Sequence, residues 1–110
     1  MKIVLTGFMG AGKTSVGNAL SRKLGFRFVD TDTLIEEREG QPVSLIFKEK
    51  GEAYFRKLEH ETVKEISMLQ NIVIATGGGV IKNPENVEHL GRNGIIIWLK
   101  ADPEIILKRV

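Results

Sequence analysis

The sequence predicts an α/β domain built on a doubly wound parallel sheet, and three observations carry that expectation. Four apolar runs, at residues 3–5, 26–29, 72–75 and 95–99, are rich in β-branched and aromatic residues and bounded by turn signals. None alternates polar with apolar, which suits strands covered on both faces. Helical patterns with legible ends lie between the runs, and strand–helix alternation of this kind builds parallel sheets.

The helices can be taken in chain order. The first begins inside a glycine-rich segment after the first run and extends to Leu24, with Gly25 as its stop. Asp32-Thr33 opens a short one; Thr33 and Glu36 have capping-box spacing, and Gly40 closes it. Residues 43–50 form another, ending at Gly51. A longer helix over residues 52–69 places Phe55, Leu58, Thr62, Ile66 and Leu69 on one face. Asn83-Pro84 is an N-cap followed by proline at the first helical position, and that helix ends near Gly91. Asp102-Pro103 repeats the signal and predicts a final helix carrying Ile105, Ile106, Leu107 and Val110. Doubly wound sheets commonly have five or more strands. With four counted, residues 1–110 are expected to be the N-terminal portion of a domain that is C-terminally incomplete.

Composition narrows the function classes. The 110 residues make one small domain, and 42% apolar with 27% charged content excludes a disordered chain. The net charge is +2, and each half of the chain holds 8 basic and 7 acidic residues, so no basic stripe recommends nucleic acid as a partner. The absence of cysteine excludes disulfides and thiolate metal sites. The longest apolar run, residues 95–99, is far too short to span a membrane, and Met1-Lys2 followed by three apolar residues is no leader. The expectation is a soluble, cytoplasmic domain with no membrane partner.

Gly7-Phe8-Met9-Gly10-Ala11-Gly12-Lys13-Thr14 fits the phosphate-loop pattern G-x-x-x-x-G-K-[ST]. Glycines let backbone N–H groups converge on phosphate oxygens, and the following helix N-terminus favours an anion. Gly10, Ala11, Gly12, Lys13, Thr14 and Ser15 are the candidate nucleotide-binding residues; Lys13 can reach the β- and γ-phosphates, and the Thr14 hydroxyl can ligate Mg²⁺. A strand before the loop and a helix after it supply the context the motif needs. The fold class is therefore the P-loop NTPase type.

Of three further features, two fall at the same sheet edge, where open parallel sheets bind ligands, and the third, Arg56, lies near the start of the long helix. Asp30-Thr31-Asp32 ends the second strand. One carboxylate there can hold Mg²⁺ and the other can take a proton from a substrate hydroxyl; alternatively Asp32 caps the next helix and Asp30 is a turn residue. Gly77, Gly78 and Gly79 follow the third strand and leave bare backbone for a substrate, or are simply a turn. Arg56 can fork onto a substrate carboxylate, or pair with Glu52 or Glu59 at helical spacing.

Together these residues resemble the shikimate kinase family over essentially the whole chain. The resemblance rests on the glycine loop, Asp30-Thr31-Asp32, Gly51-Glu52 with Phe55-Arg56 and Glu59, Thr76-Gly77-Gly78-Gly79, and Trp98-Leu99 with Pro103-Glu104. It implies transfer of the ATP γ-phosphate to the 3-hydroxyl of shikimate in aromatic amino-acid biosynthesis. By matching position, Lys13 and the loop hold phosphates, and Thr14 and Asp30 serve Mg²⁺. Asp32 binds the shikimate hydroxyls and is the candidate base, Arg56 binds the carboxylate, and Gly77, Gly78 and Gly79 line the shikimate site. The family continues with an arginine-bearing lid, a further substrate-binding arginine, a fifth strand and an adenine-contacting loop, so the resemblance implies a chain that stops before the lid. Arg109 takes no lid role. A monomer is expected when the chain is complete, with association of the shortened chain through an exposed edge.

Other residues read as structural. His60 and His89 are expected on solvated helix faces, Trp98 in packing, and Glu36-Glu37-Arg38-Glu39 on a solvated face. The rival functions are a related P-loop kinase acting on gluconate or a nucleoside monophosphate, and a nucleotide-binding module that transfers nothing.

Overall fold

A computed structural model describes residues 1–7, 12–77, 79–99 and 105–109. In chain order its elements are β1 (Lys2–Gly7), α1 (Lys13–Leu24), β2 (Arg27–Asp30), α2 (Thr31–Glu39), α3 (Val43–Lys50), α4 (Glu52–Ile66), β3 (Ile72–Ala75), a 3₁₀ turn (Val80–Lys82), α5 (Pro84–Gly91), β4 (Gly94–Leu99) and β5 (Ile105–Arg109). The four expected strands are all present and mutually parallel, in the order β2-β3-β1-β4.

The unbroken apolar runs have the expected cause, since both faces of the sheet are covered. Val4, Ile72, Ile74 and Ile96 point to the face where Val63 and Ile66 of α4 and Leu90 of α5 pack. Their neighbours Ile3, Leu5 and Val73 point the other way, against Val16 and Leu20 of α1. A satellite cluster of Ile35, Ile46 and Phe55 joins α2, α3 and α4, with the Phe47 and Phe55 rings 4.8 Å apart.

Helix α1 lies close to β2 because Gly17 is buried with no side chain. A Cβ there would stand 2.8 Å from two atoms of the Phe28 ring, inside contact distance. Gly17→Ala is therefore expected to destabilise the protein by about 1–3 kcal/mol, the usual cost of overpacking, read as a lower thermal midpoint.

Two expectations, at β5 and at the end of α4, are corrected first. Residues 105–109 form no helix: they pair antiparallel with β4, Ile105 opposite Leu99 and Arg109 opposite Ile95. The free N–H and C=O groups along the outer edge of β4 offer five residues a ladder, and a β-branched pair takes it over a helical start signal. Asp102, Pro103 and Val110 lie outside the described residues. The other correction is at α4, which ends at Ile66, three residues early, as the chain tightens through Met68 N–H to Glu65 O and Leu69 N–H to Ile66 O.

His60 is also not solvated as expected. Its Nδ1 lies 2.9 Å from Asn86 Oδ1 and its Nε2 3.4 Å from Glu85, bridging α4 to α5. No helix among the described residues is long and apolar enough to cross a membrane.

Candidate active site

Parallel pairing puts the C-terminal ends of β1, β2 and β3 on one edge, so Gly7, Asp30 and Ala75 deliver the segments that follow them to one place. Gly10 and Ala11 of the glycine loop, and Gly78, lie outside the described residues. Gly12 enters α1 at φ 77°, a conformation that disfavours other residues. Helix α1 has neither a side-chain cap nor an acidic residue in its first turn, so its N-terminal amides and dipole are left to an anion. Lys13 lies across the strand ends: its Nζ donates to Gly7 O at 3.1 Å and to Thr76 O at 2.8 Å.

The two aspartates divide their work. Asp30, not Asp32, caps α2: its Oδ1 accepts from the Asp32 N–H at 2.9 Å and the Thr33 N–H at 3.1 Å. The helix accordingly starts at Thr31, before the Asp32-Thr33 opening that the sequence suggested. The capping-box partner is spent elsewhere, since Glu36 accepts from the Val43 N–H at 2.7 Å. Asp32 is thus released from capping, and its buried Oδ1 has no hydrogen-bond partner among the described residues. Burial raises its pKa above the ordinary carboxylate value; the charge of Asp30 adds to the rise, and Lys13 opposes it.

Capping by Asp30 gives a direct expectation. Asp30→Ala should cost about 0.5–2 kcal/mol of stability, whereas Asp30→Asn, which can still cap, should cost little. Thermal melts of the two variants check it.

Thr31 carried no role in the sequence reading. It is fully buried, and its Oγ1 accepts the Gly77 N–H at 3.1 Å, fastening the first turn of α2 to the chain leaving β3. Its place between two aspartates was visible; its partner, 46 residues away, was not.

Arg56 makes both of the ion pairs that helical spacing allowed. Its Nη1 meets the two Glu59 oxygens at 3.0 and 3.2 Å, and its Nη2 meets Glu52 at 3.3 Å. The guanidinium also lies 5.4 Å from the Phe55 ring and 5.7 Å from the Phe47 ring. Burial works against its charge, but the carboxylates, Glu59 foremost, raise its pKa above the usual value. Glu59 is 2% exposed, and burial pushes its carboxyl up despite the neighbouring arginine. The apolar face read along α4 did not reveal this buried acid.

A cleft of about 710 Å³ gathers Gly12, Lys13, Thr14, Ser15, Asp30, Asp32 and Gly77 in its wall, along with Thr76 and Glu36. Arg56 and Gly79 are outside that wall, although Arg56 is near enough to lower the pKa of Asp32. A smaller cleft of about 270 Å³ between α2 and α4 holds none of the candidate residues. No group of three or more His, Cys, Asp or Glu suited to a metal occurs among the described residues. Thr14 and Asp30 share the larger cleft, and a hydroxyl with one carboxylate is the hard, sparse oxygen set that suits Mg²⁺ completed by phosphates.

Comparison with known proteins agrees with the fold. The family model described as shikimate kinase matches residues 9–110. A shikimate kinase of Caldanaerobacter subterraneus subsp. tengcongensis is 56% identical over 108 residues, and one of Thermoanaerobacter pseudethanolicus is 50% identical over 108. The alignments cover 98% of this chain and 63% of each relative, so the chain spans about 63% of their length. Among solved structures, the shikimate kinase of Acinetobacter baumannii in complex with shikimate aligns with TM-score 0.86 and 42% identity, covering 89% of this chain and 55% of that one. The Aquifex aeolicus shikimate kinase gives TM-score 0.84 at 46% identity, covering 89% and 58%. A gluconokinase of Sinorhizobium meliloti, at TM-score 0.57 and 19% identity, shares the fold. The family model's match over residues 9–110 means that the chain belongs to the shikimate kinase family.

Proposed function

We propose that the protein transfers the γ-phosphate of ATP to the 3-hydroxyl of shikimate, and that residues 1–110 are the N-terminal portion of its P-loop kinase domain. The observation that carries this reading is the placement of Asp32, which caps no helix and whose buried Oδ1 has no hydrogen-bond partner among the described residues, beside the phosphate-loop lysine in one cleft, with Arg56 close by. Gly10 to Ser15 would hold the nucleotide phosphates, with Lys13 exchanging the carbonyls of Gly7 and Thr76 for phosphate oxygens. Arg56, backed by Glu59, would grip the shikimate carboxylate, and Gly77, Gly78 and Gly79 would line its ring. Thr14 and the Asp30 oxygen not used in capping would hold Mg²⁺, which when bound would neutralise phosphate charge.

Asp32 would orient the 3-hydroxyl and accept its proton. The hydroxyl oxygen forms the new bond to γ-phosphorus, the bond from γ-phosphorus to the bridging oxygen breaks, and ADP leaves with that electron pair. A carboxyl with a raised pKa is closer to the value that suits a base at neutral pH. ATP being a cytoplasmic metabolite, the reading places the enzyme in the cytoplasm; a monomer, with no nucleic acid or membrane partner, suffices for it.

A coupled assay of ADP release with shikimate, gluconate and a nucleoside monophosphate offered separately tests the reading. Release that depends on shikimate supports it. Release that depends on another acceptor, or nucleotide binding with no release at all, would overturn it.

A further inference from the structure

We propose that Gly77 and Gly79 are the seats of Asp32 and Arg56: their missing side chains set where the carboxylate and the guanidinium stand, apart from any contact with substrate. The inference rests on the function proposed above and concerns the same site. A Cβ on Gly77 would lie 2.5 Å from Asp32 Oδ1, 2.7 Å from Oδ2 and 2.9 Å from Cγ. One on Gly79 would lie 2.6 Å from both Cζ and Nη2 of Arg56. Both charged groups therefore rest directly on main chain, where any other residue would put a methyl group.

The main-chain side of each contact is held, so it is the charged group that gives way to an added methyl group. Gly77 is pinned through its N–H to the buried Thr31 hydroxyl at 3.1 Å, and its carbonyl accepts from Val80 N–H at 3.2 Å. The Gly79 carbonyl accepts from Lys82 N–H at 3.2 Å. Asp32 sits one residue from Thr31, so the bond that pins Gly77 also fixes the turn carrying the carboxylate. Arg56 is tied to buried Glu59, which would lose its cationic partner if the guanidinium swung away. An added methyl group would thus displace the functional group, and a misplacement of about 1 Å at a reacting group costs about 10²-fold in rate.

Gly77→Ala and Gly79→Ala, with the parent, decide it by two measurements. The first is made without substrate: the carboxyl ¹³C resonance of Asp32 and the side-chain ¹⁵N resonances of Arg56. The proposal expects the Asp32 carboxyl resonance to move in Gly77→Ala and the Arg56 resonances to move in Gly79→Ala. The second is steady-state kinetics. Gly77→Ala should lower kcat by about 10²-fold with the smaller effect on the KM for shikimate. Gly79→Ala should raise that KM by about tenfold or more with the smaller effect on kcat. If both alanines leave the substrate-free signals at parental values and raise KM alike, the glycines only line the substrate and the proposal is overturned. Should Gly77→Ala fail to fold, Asp32→Ala in the same chain removes the clash and should restore folding; failure to restore it also overturns the proposal. A parent that does not phosphorylate shikimate sinks the function proposed above, while the substrate-free spectra still judge the seats.

Discussion

Lys13→Ala is expected to abolish ATP-dependent turnover in a protein that remains folded. The side chain lies at the cleft and not in the core, and its ammonium satisfies two main-chain carbonyls, Gly7 O and Thr76 O, at the ends of β1 and β3. Losing hydrogen bonds from a charged donor costs about 1.5–3 kcal/mol, and Thr76 borders an open cleft where water can replace the amine. That is a fraction of the about 5–15 kcal/mol of a typical domain, so the thermal midpoint should fall without loss of the fold. The loss to catalysis is larger, because no other described lysine lines this cleft to meet the transferring phosphate. Circular dichroism and nucleotide titration check both halves. A folded variant with parental affinity and turnover would contradict the role given to Lys13.

Asp32→Asn is expected to lower the rate by roughly 10²-fold or more while making the substrate-free protein more stable at neutral pH. The two effects have one origin. Burial and the charge of Asp30 raise the folded-state pKa of Asp32, so in the window above the ordinary carboxylate pKa the folded state binds more protons than the unfolded chain. Stability therefore falls as pH rises through that window and stays lower above it. Asparagine does not titrate there. The variant should be the more stable one at neutral pH, and the difference should vanish as pH falls below the ordinary carboxylate range. Since Asp30 holds the helix cap, lost capping cannot account for a lost rate. Melts across pH, beside kinetics, decide it: a variant as active as its parent, or no more stable at neutral pH, would contradict the account.

How much of this was legible depended on the range of the interaction involved. Strands β1 to β4 were visible because unbroken apolar runs report burial on both faces, and the ends of α1, α2, α3 and α5 because glycine stops and the Asn83-Pro84 start are local chemistry. The site residues could be listed because a parallel sheet brings strand ends together whatever the details. What escaped were choices made between distant segments. Asp30 and Asp32 are equally good caps on paper, and only the backbone turn into Thr31 selects Asp30. The buried bond from Gly77 to Thr31 and the bridge from His60 to Asn86 each need a partner on another element. Glu59 sits one helical turn from Arg56, yet its burial comes from neighbours on other elements. Residues 105–109 carried a local helix signal that edge pairing with β4 overrode.

On the function proposed above, this sheet edge would join a phosphate-loop site to an acceptor site that presents the 3-hydroxyl of shikimate to Asp32. The most direct measurement is ³¹P NMR of the reaction mixture with ATP, Mg²⁺ and shikimate. The account predicts one new phosphate monoester, coupled to the ring proton at carbon 3, formed in equal amount with ADP. Inorganic phosphate as the sole new phosphorus species beside ADP, or an ester at another hydroxyl, would contradict it.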